Sequence, residues 1–364
     1  MQFYAQCNEQ QEHELGTHVL SLKLFDTLIS PIASYAGAVW GVFCTGKNLD
    51  VNNINIYDKA PMEKINLKLC KYLLGVNKYA SNAAVRGELA RFPLLINILD
   101  MCTKYYTRVF TLNEDSLVRI SCDDLNDQLS KRNLYPEKTS ELVWQTKVKS
   151  IYNITSGLTK SALNHIYYNK WAEFISKQTC DNKLRTYAKF KKSFELENYI
   201  LAMPLYKRKM FTKLRISNHF LAIEKGRHLS IPKNRDIVCN FCNKIRDECT
   251  CNFFKYNRLC KNCNVVEYEK HFLMNCHLYN SSRAEFLKKL NSFINFDSAD
   301  SDVLFINLMS TMNGDTEIAG VVCDFVNACF DERREYISHH DVKSSKTIFT
   351  RSGRMSRLPC RLNL

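Results

Sequence analysis

Cys260 and Cys263 stand two residues apart in CKNC, with seven residues between Cys263 and His271 and four between His271 and Cys276. Three thiolate sulfurs and an imidazole nitrogen are donors that a tetrahedral Zn2+ ion takes, and a Cys-x-x-Cys turn presents two sulfurs to one ion without strain. The pattern predicts a Zn2+ site made by Cys260, Cys263, His271 and Cys276. Four protein ligands leave no open coordination position, so the expected role is structural rather than catalytic. One spacing resists. Residues five apart lie about 140° apart on an ideal helix, so His271 and Cys276 can converge only near a helix end or at a loosened turn. His277 is the alternative ligand beside Cys276.

Upstream, VCNFCNK repeats the turn seen in LCKNCNV, as though a short unit had been duplicated. Cys239 and Cys242, completed by Cys249 and Cys251, form a second candidate site. Unliganded thiols are a poor alternative for the first set, because KYNRLCKNCN is too polar to bury them. Residues 239–276 hold little aliphatic sequence outside Phe272, Leu273 and Met274. Metal binding, on the order of 10 kcal/mol in such modules, is therefore expected to supply much of their order, and chelation to unfold this segment first.

Seven of the 16 cysteines fall in these 38 residues. The others are scattered, and Cys70, Cys102 and Cys323 read as small buried hydrophobes. The opening MQFYAQCNEQQEHELG has neither a basic start nor an apolar signal segment, so reduced thiols and a nuclear or cytoplasmic, not secreted, protein are expected.

The formal charge is +14, and 19 Lys plus Arg against 6 Asp plus Glu between Lys183 and Cys263 place a net +13 in that stretch. A basic block leading into a cysteine cluster is the electrostatic footprint of a nucleic-acid binder, since neutralised phosphates release condensed counterions. The expected phosphate contacts are Lys207, Arg208, Lys209, Lys213, Arg215, Lys225 and Arg227. The interleaved Tyr187, Phe190, Phe194, Tyr199, Tyr206 and Phe211 have faces on which bases can stack. A solvated Lys-rich helical surface is the other explanation of the same residues.

The elements that must position these groups read as mainly α, because helical periodicity dominates and strand alternation is scarce. In PMEKINLKLCKYLLGV, Pro61 opens a helix, Ile65, Leu69, Tyr72 and Leu73 form its apolar face, and Gly75 closes it. PLLINILDMCTKYYTRVF follows Pro93 in the same way, and SELVWQTKVKSIYNI has Ser140 as N-cap. LTKSALNHIYYNKWAEFISKQ turns Leu158, Leu163, Ile166, Tyr167 and Trp171 to a core. NSSRAEFLKKLNSFI is helical by spacing, and DTEIAGVVCDFVNACFDERREYI aligns Ile318, Val322, Phe325 and Phe330. The uncharged run Thr27 to Gly46 has the length of a membrane span, but Ser30, Pro31, Ser34 and its glycines make it only weakly apolar. It reads as a buried helix of a protein without a membrane partner.

The resulting organisation is a polar segment 1–20, a helical domain 21–112, a linker 113–139, a helical basic region 140–238, a cysteine-rich module 239–280, C-terminal helices 281–340 and a basic disordered tail 341–364. Taken together the landmarks resemble the C-terminal part of the reverse-transcriptase polyprotein of non-LTR (LINE-type) retrotransposons. The resemblance starts at LKLFDTLISPIASYAGAVWG, Leu22 to Gly41. It runs through MEKINLKLCKYLLGVNKYASNAAVRGELARFPLLI, and includes NKLRTYAKFKKSFELENYI, FTKLRISNHFLAIEKGRH and CKNCNVVEYEKHFLMNCHLYNSSRAEF with its trailing Tyr and Arg. It implies a thumb-like first domain, RNA or DNA as partner, and a separate palm-containing reverse-transcriptase polypeptide as a further partner. The insert carrying Cys239 to Cys251 departs from the family pattern.

A palm needs clustered aspartates for two metal ions, presented in this family on an aromatic-x-Asp-Asp hairpin. The one Asp-Asp pair, Asp123-Asp124, follows Ser121-Cys122 in a polar stretch and reads as a solvated loop or helix start. The expectation is a protein that binds nucleic acid without catalysing polymerisation or cleavage. The competing expectation is a truncated or host-reused helical interaction module.

Overall fold

Prolines set the starts of the helices that carry the core. The computed structural model describes residues 20–45, 50–131, 144–155, 159–178, 182–228, 259–293, 300–310 and 315–344. Pro61 occupies the first turn of α1 (Pro61–Leu73), where its missing N–H is no loss. Gly75 ends that helix at φ +65°, a left-handed conformation that glycine adopts without penalty. After α2 (Asn82–Leu89), Pro93 precedes α3 (Leu94–Thr111). The chain continues through α4 (Leu117–Lys131), α5 (Trp144–Thr155), α6 (Thr159–Ser176), α7 (Leu205–Arg215), α8 (Asn280–Asn291), α9 (Ser301–Met309) and α10 (Thr316–Ser344). The fold is mainly α, and two isolated bridges are the only β pairing among the described residues.

Helix α3 is the centre of the first half: it packs on α1, α5, α6 and the short Gly37–Trp40 helix. Leu95, Ile98, Leu99 and Cys102 supply its fully buried stripe. In the second half α7 and α8 pack on α10, which buries Ile318, Val322, Phe325 and Phe330 as its periodicity predicts. A single continuous cluster of buried apolar side chains runs from Phe25 to Phe330 through both halves. At Gly87 of α2 a side chain would stand 2.7 Å from both Trp171 Cζ2 and Tyr187 Oη, so only glycine lets α2 approach α6 there. Trp171 Nε1 donates to the Ala83 carbonyl at 2.9 Å across the same contact.

Several expectations are corrected. On α1 the inward face is Met62, Glu63, Asn66, Leu67, Cys70 and Leu73, whereas Ile65 and Tyr72 face solvent. The reason is Glu63, which is buried because Arg86 Nη2 and the Leu95 N–H reach its carboxylate at 2.9 and 3.0 Å. The polar stretch expected as a linker contains α4, with Asp123 paired to Arg119 at 2.7 Å and Asp124 accepting from Gln128 at 2.8 Å. The uncharged N-terminal run is not one buried helix. It bends by 65° between Leu20–Ala33 and Gly37–Cys44, and no single helix among the described residues is long and apolar enough to cross a membrane. Leu24, Leu28, Ile32, Tyr35 and Val39 are exposed on it. Ser140, Leu158 and residues 345–364 lie outside the described residues.

Candidate metal centre and basic surface

The Cys260–Cys263 turn is a tight hairpin. Leu259 and Val266 bridge antiparallel, Cys260 N–H donates to Val265 O at 2.7 Å, and Asn264 N–H donates to Cys260 O at 2.9 Å. Asn264 completes the turn at φ +53°, a region that asparagine tolerates better than most residues. The other two ligands flank a five-residue π-helical turn, His271–Asn275. Cys276 N–H donates to His271 O at 2.8 Å, an i to i+5 bond. A turn that closes after five residues returns Cys276 to the side of His271, which a regular α-helix would not do. This resolves the spacing problem that the sequence posed.

One donor atom from each of Cys260, Cys263, His271 and Cys276 lies within 4.8 Å of the others. The Sγ of Cys276 is 3.8 Å from that of Cys260 and 3.6 Å from that of Cys263, and all three cysteines are free. A tetrahedral ion with metal–sulfur bonds of about 2.3 Å places its sulfurs about 3.8 Å apart. The buried Nε2 of His271 has no hydrogen-bond partner. An orphaned ring nitrogen costs roughly 1–3 kcal/mol unless something fills it. These features fit a bound metal ion.

Electrostatics agree with the geometry. The Cys260 thiol is pushed down to about 3, first by hydrogen bonding from Cys276 and further by His271 and the backbone N–H groups of Cys263 and Asn262, against the opposing effect of burial. The Cys276 thiol is raised in return, first by its hydrogen bond to Cys260, then by burial and by the charge of the Cys260 sulfur. Arg283 braces the turn from behind, donating to Leu273 O and Cys276 O at 2.8 Å each. The sequence marks Arg283 only as a residue trailing the motif.

The module is not coreless. Phe272, Leu273, Cys276 and Tyr279 are fully buried, with Phe272 against Phe330 of α10 at 4.6 Å between ring centroids. Two carboxylates between the ligand pairs tie it further to the helices. Glu267 meets Arg333 at 2.6 and 2.7 Å and accepts from the Ala222 N–H at 2.5 Å. Glu269 accepts from Arg185 at 2.8 and 2.9 Å, from Thr186 at 2.9 Å and from Ser217 at 3.2 Å, with His219 Nε2 at 2.9 Å. Burial alone would raise its pKa, but His219 and Arg185 hold Glu269 down to about 2. Nothing in the spacing of charged residues indicated these partners, which lie about 50 to 84 positions away. The second candidate set, Cys239, Cys242, Cys249 and Cys251, lies outside the described residues.

The seven basic residues separate. Arg215 is buried: it meets Glu88 through two 3.0 Å bonds and Glu197 at 2.9 Å, and lies over Phe190, Tyr199 and Phe211 at 4.6, 5.1 and 5.7 Å. Arg208 is buried as well, donating to Met203 O at 3.1 Å and Leu73 O at 2.8 Å. Neither guanidinium faces solvent, so neither can reach a phosphate in this conformation. Lys207 pairs with Asp324 at 3.1 Å. Lys209 and Lys225 are exposed and Lys213 is half-buried, while the side chain of Arg227 lies outside the described residues. Of the six interleaved aromatics, Tyr187, Phe190, Phe194, Tyr199 and Phe211 are core, and Tyr206 alone is exposed. Phe190, Tyr199 and Phe211 pack around Arg215 and Phe194 against Phe92, Tyr167 and Trp171, so the buried five offer no stacking surface.

Comparison of the chain with family models, with curated proteins and with solved structures finds no match.

Proposed function

We propose that this chain binds RNA or DNA and is organised around one structural Zn2+ ion, and that it corresponds to the thumb and Cys-Cys-His-Cys portion of a non-LTR reverse transcriptase without supplying catalysis. Three thiols and one imidazole in a closed set suit Zn2+ above harder ions. The observation that carries the reading is this four-ligand set, docked by Glu267 and Glu269 onto helices whose outer faces expose Lys209 and Lys225. The summed field of such cations steers an anionic partner toward the surface that carries them. The site of action is the nucleus or cytoplasm.

The test combines metal analysis of the purified protein with titration of labelled RNA and DNA. One Zn2+ bound by the described ligands is expected. If about six phosphates are engaged, affinity falls by roughly three decades between about 50 and 200 mM salt. Affinity that is flat across that range removes the reading.

The exposed apolar side chains of the bent N-terminal pair favour a second reading, a helical interaction module whose partner is another polypeptide, such as one bearing the palm. It predicts bound metal with no measurable RNA or DNA affinity.

A further inference from the structure

Of four strongly exposed aromatics around α7, two lie in the stretch where the sequence concentrates its charge and two lie far upstream of it. Tyr72 (74% exposed) and Tyr79 (62%) belong to the first half, Tyr206 (64%) and Phe220 (52%) to the second. The chain brings them to one border. The left-handed Gly75 abuts Leu205 and Lys209, each 3.0 Å from where its side chain would be. Asn77 and Asn218 bond reciprocally at 2.9 and 2.8 Å, and Lys183 Nζ donates to Tyr79 O at 2.8 Å.

Single exposed aromatics are ordinary. Here they are interleaved with Lys68, Lys71, Lys78, Lys209 and Lys213, none of which pairs with a carboxylate among the described residues. Asp58, whose charge acts on Lys71, is engaged by Arg86 at 2.7 Å and Asn82 at 2.9 Å. Lys78 Nζ lies 5.0 Å from the centre of the Tyr79 ring and Lys213 Nζ 5.5 Å from that of Phe220. Such a surface suits a partner that is both flat-faced and anionic. A purely apolar docking partner would leave the ammonium groups desolvated, and a duplex hides its base faces.

We propose that the 74–80 loop and the ends of α1 and α7 form the binding surface for a single-stranded nucleic acid, whose bases stack on Tyr72, Tyr79, Tyr206 and Phe220. The inference rests on the nucleic-acid reading above and assigns that activity to the 74–80 loop and the ends of α1 and α7 and not to the four-ligand set itself. The lysines between the rings take the phosphates, and the lack of hydrogen-bond readers on the rings makes the binding tolerant of sequence.

Fluorescence anisotropy of the full chain with oligonucleotides of about 15 residues tests it, using RNA, single-stranded DNA and duplex DNA as separate arms. Tyr72→Ala, Tyr79→Ala, Tyr206→Ala and Phe220→Ala are each expected to weaken single-strand binding about 5-fold or more. Tyr72→Trp and Tyr206→Trp should retain it, and all variants should keep the wild-type melting temperature and metal content. Preference for either single strand over duplex supports the inference. Tighter binding of duplex, or alanine variants that bind like wild type, overturns it while leaving the wider reading intact. A wild-type protein that binds none of the three overturns both.

Discussion

The Glu88–Arg215 cluster and the Cys260, Cys263, His271, Cys276 set lie in the same continuous core, yet they are satisfied in opposite ways. Around Arg215, two carboxylates, the Tyr199 hydroxyl on Glu88 at 2.5 Å, a backbone carbonyl of Met309 and three ring faces complete every demand from within the chain. At the cysteine set, the Cys260 sulfur opposes ionisation of Cys276, and a buried imidazole nitrogen has no partner. One centre is a closed charge balance, and the other is a set of donors that could hold a cation. Buried polar residues in this protein therefore serve two purposes, and only the set with unmet demand points outside the chain.

Removing the cation should give the largest effect of any single perturbation. Chelation under reducing conditions is expected to lower hydrogen-exchange protection most in the turns at 260–264 and 271–276, by less than the order of 10 kcal/mol typical of isolated modules, because Phe272 and Tyr279 stay packed. The amides of α3 should keep their protection, and the carboxylate clamps should keep Glu267 and Glu269 near their partners. Unchanged protection over 259–279 would erase the contrast between the two centres.

Next in size is disruption of the self-contained cluster. Glu88→Leu strands a buried guanidinium and should lower stability by about 3–5 kcal/mol in urea titrations. Glu88→Leu with Arg215→Met should recover most of that loss, because the demand and its answer leave together. A neutral single variant would mean that Arg215 finds water on its own.

Acid should weaken the self-contained cluster. Burial raises the pKa of Glu88, but Arg215 and then Lys191 outweigh it, and the net shift is downward. The folded protein thus binds this proton less readily than the unfolded chain. The Glu88 contribution is fully present above the ordinary carboxylate range, about pH 4.5, and is lost as pH falls through the lower folded value. The stability difference between wild type and the Glu88→Leu, Arg215→Met double variant should shift against wild type on acidification. A difference that is constant with pH sinks this assignment.

The smallest effect is expected behind the ligands. Arg283→Ala frees the carbonyls of Leu273 and Cys276 that hold the π turn, and should weaken metal affinity about 10–100-fold in competition with a chromophoric chelator. Global stability in excess metal should change little. If affinity is unaltered, the turn is held by the core packing of Phe272 and not by Arg283.

Much of the helical architecture was legible in the sequence. Pro61, Pro93 and the apolar spacing of α3, α6 and α10 are local signals, and local signals survive without tertiary knowledge because each depends on residues within a few turns. The composition of the metal set was legible for the same reason, since Cys-x-x-Cys names its own geometry. Even the need for a loosened turn at His271 follows from five-residue spacing alone.

The tertiary structure decided which polar residues are answered and which are left waiting. Arg208 and Arg215 look like surface cations in a basic run, and only partners up to 135 positions away place them in the core. Tyr72 looks like an apolar-face residue and faces solvent, because burying Glu63 for Arg86 rotates α1 about its axis. A residue's type and its near neighbours fix what it can bond. What it does bond depends on desolvation, and desolvation depends on which distant segments of chain exclude water from it.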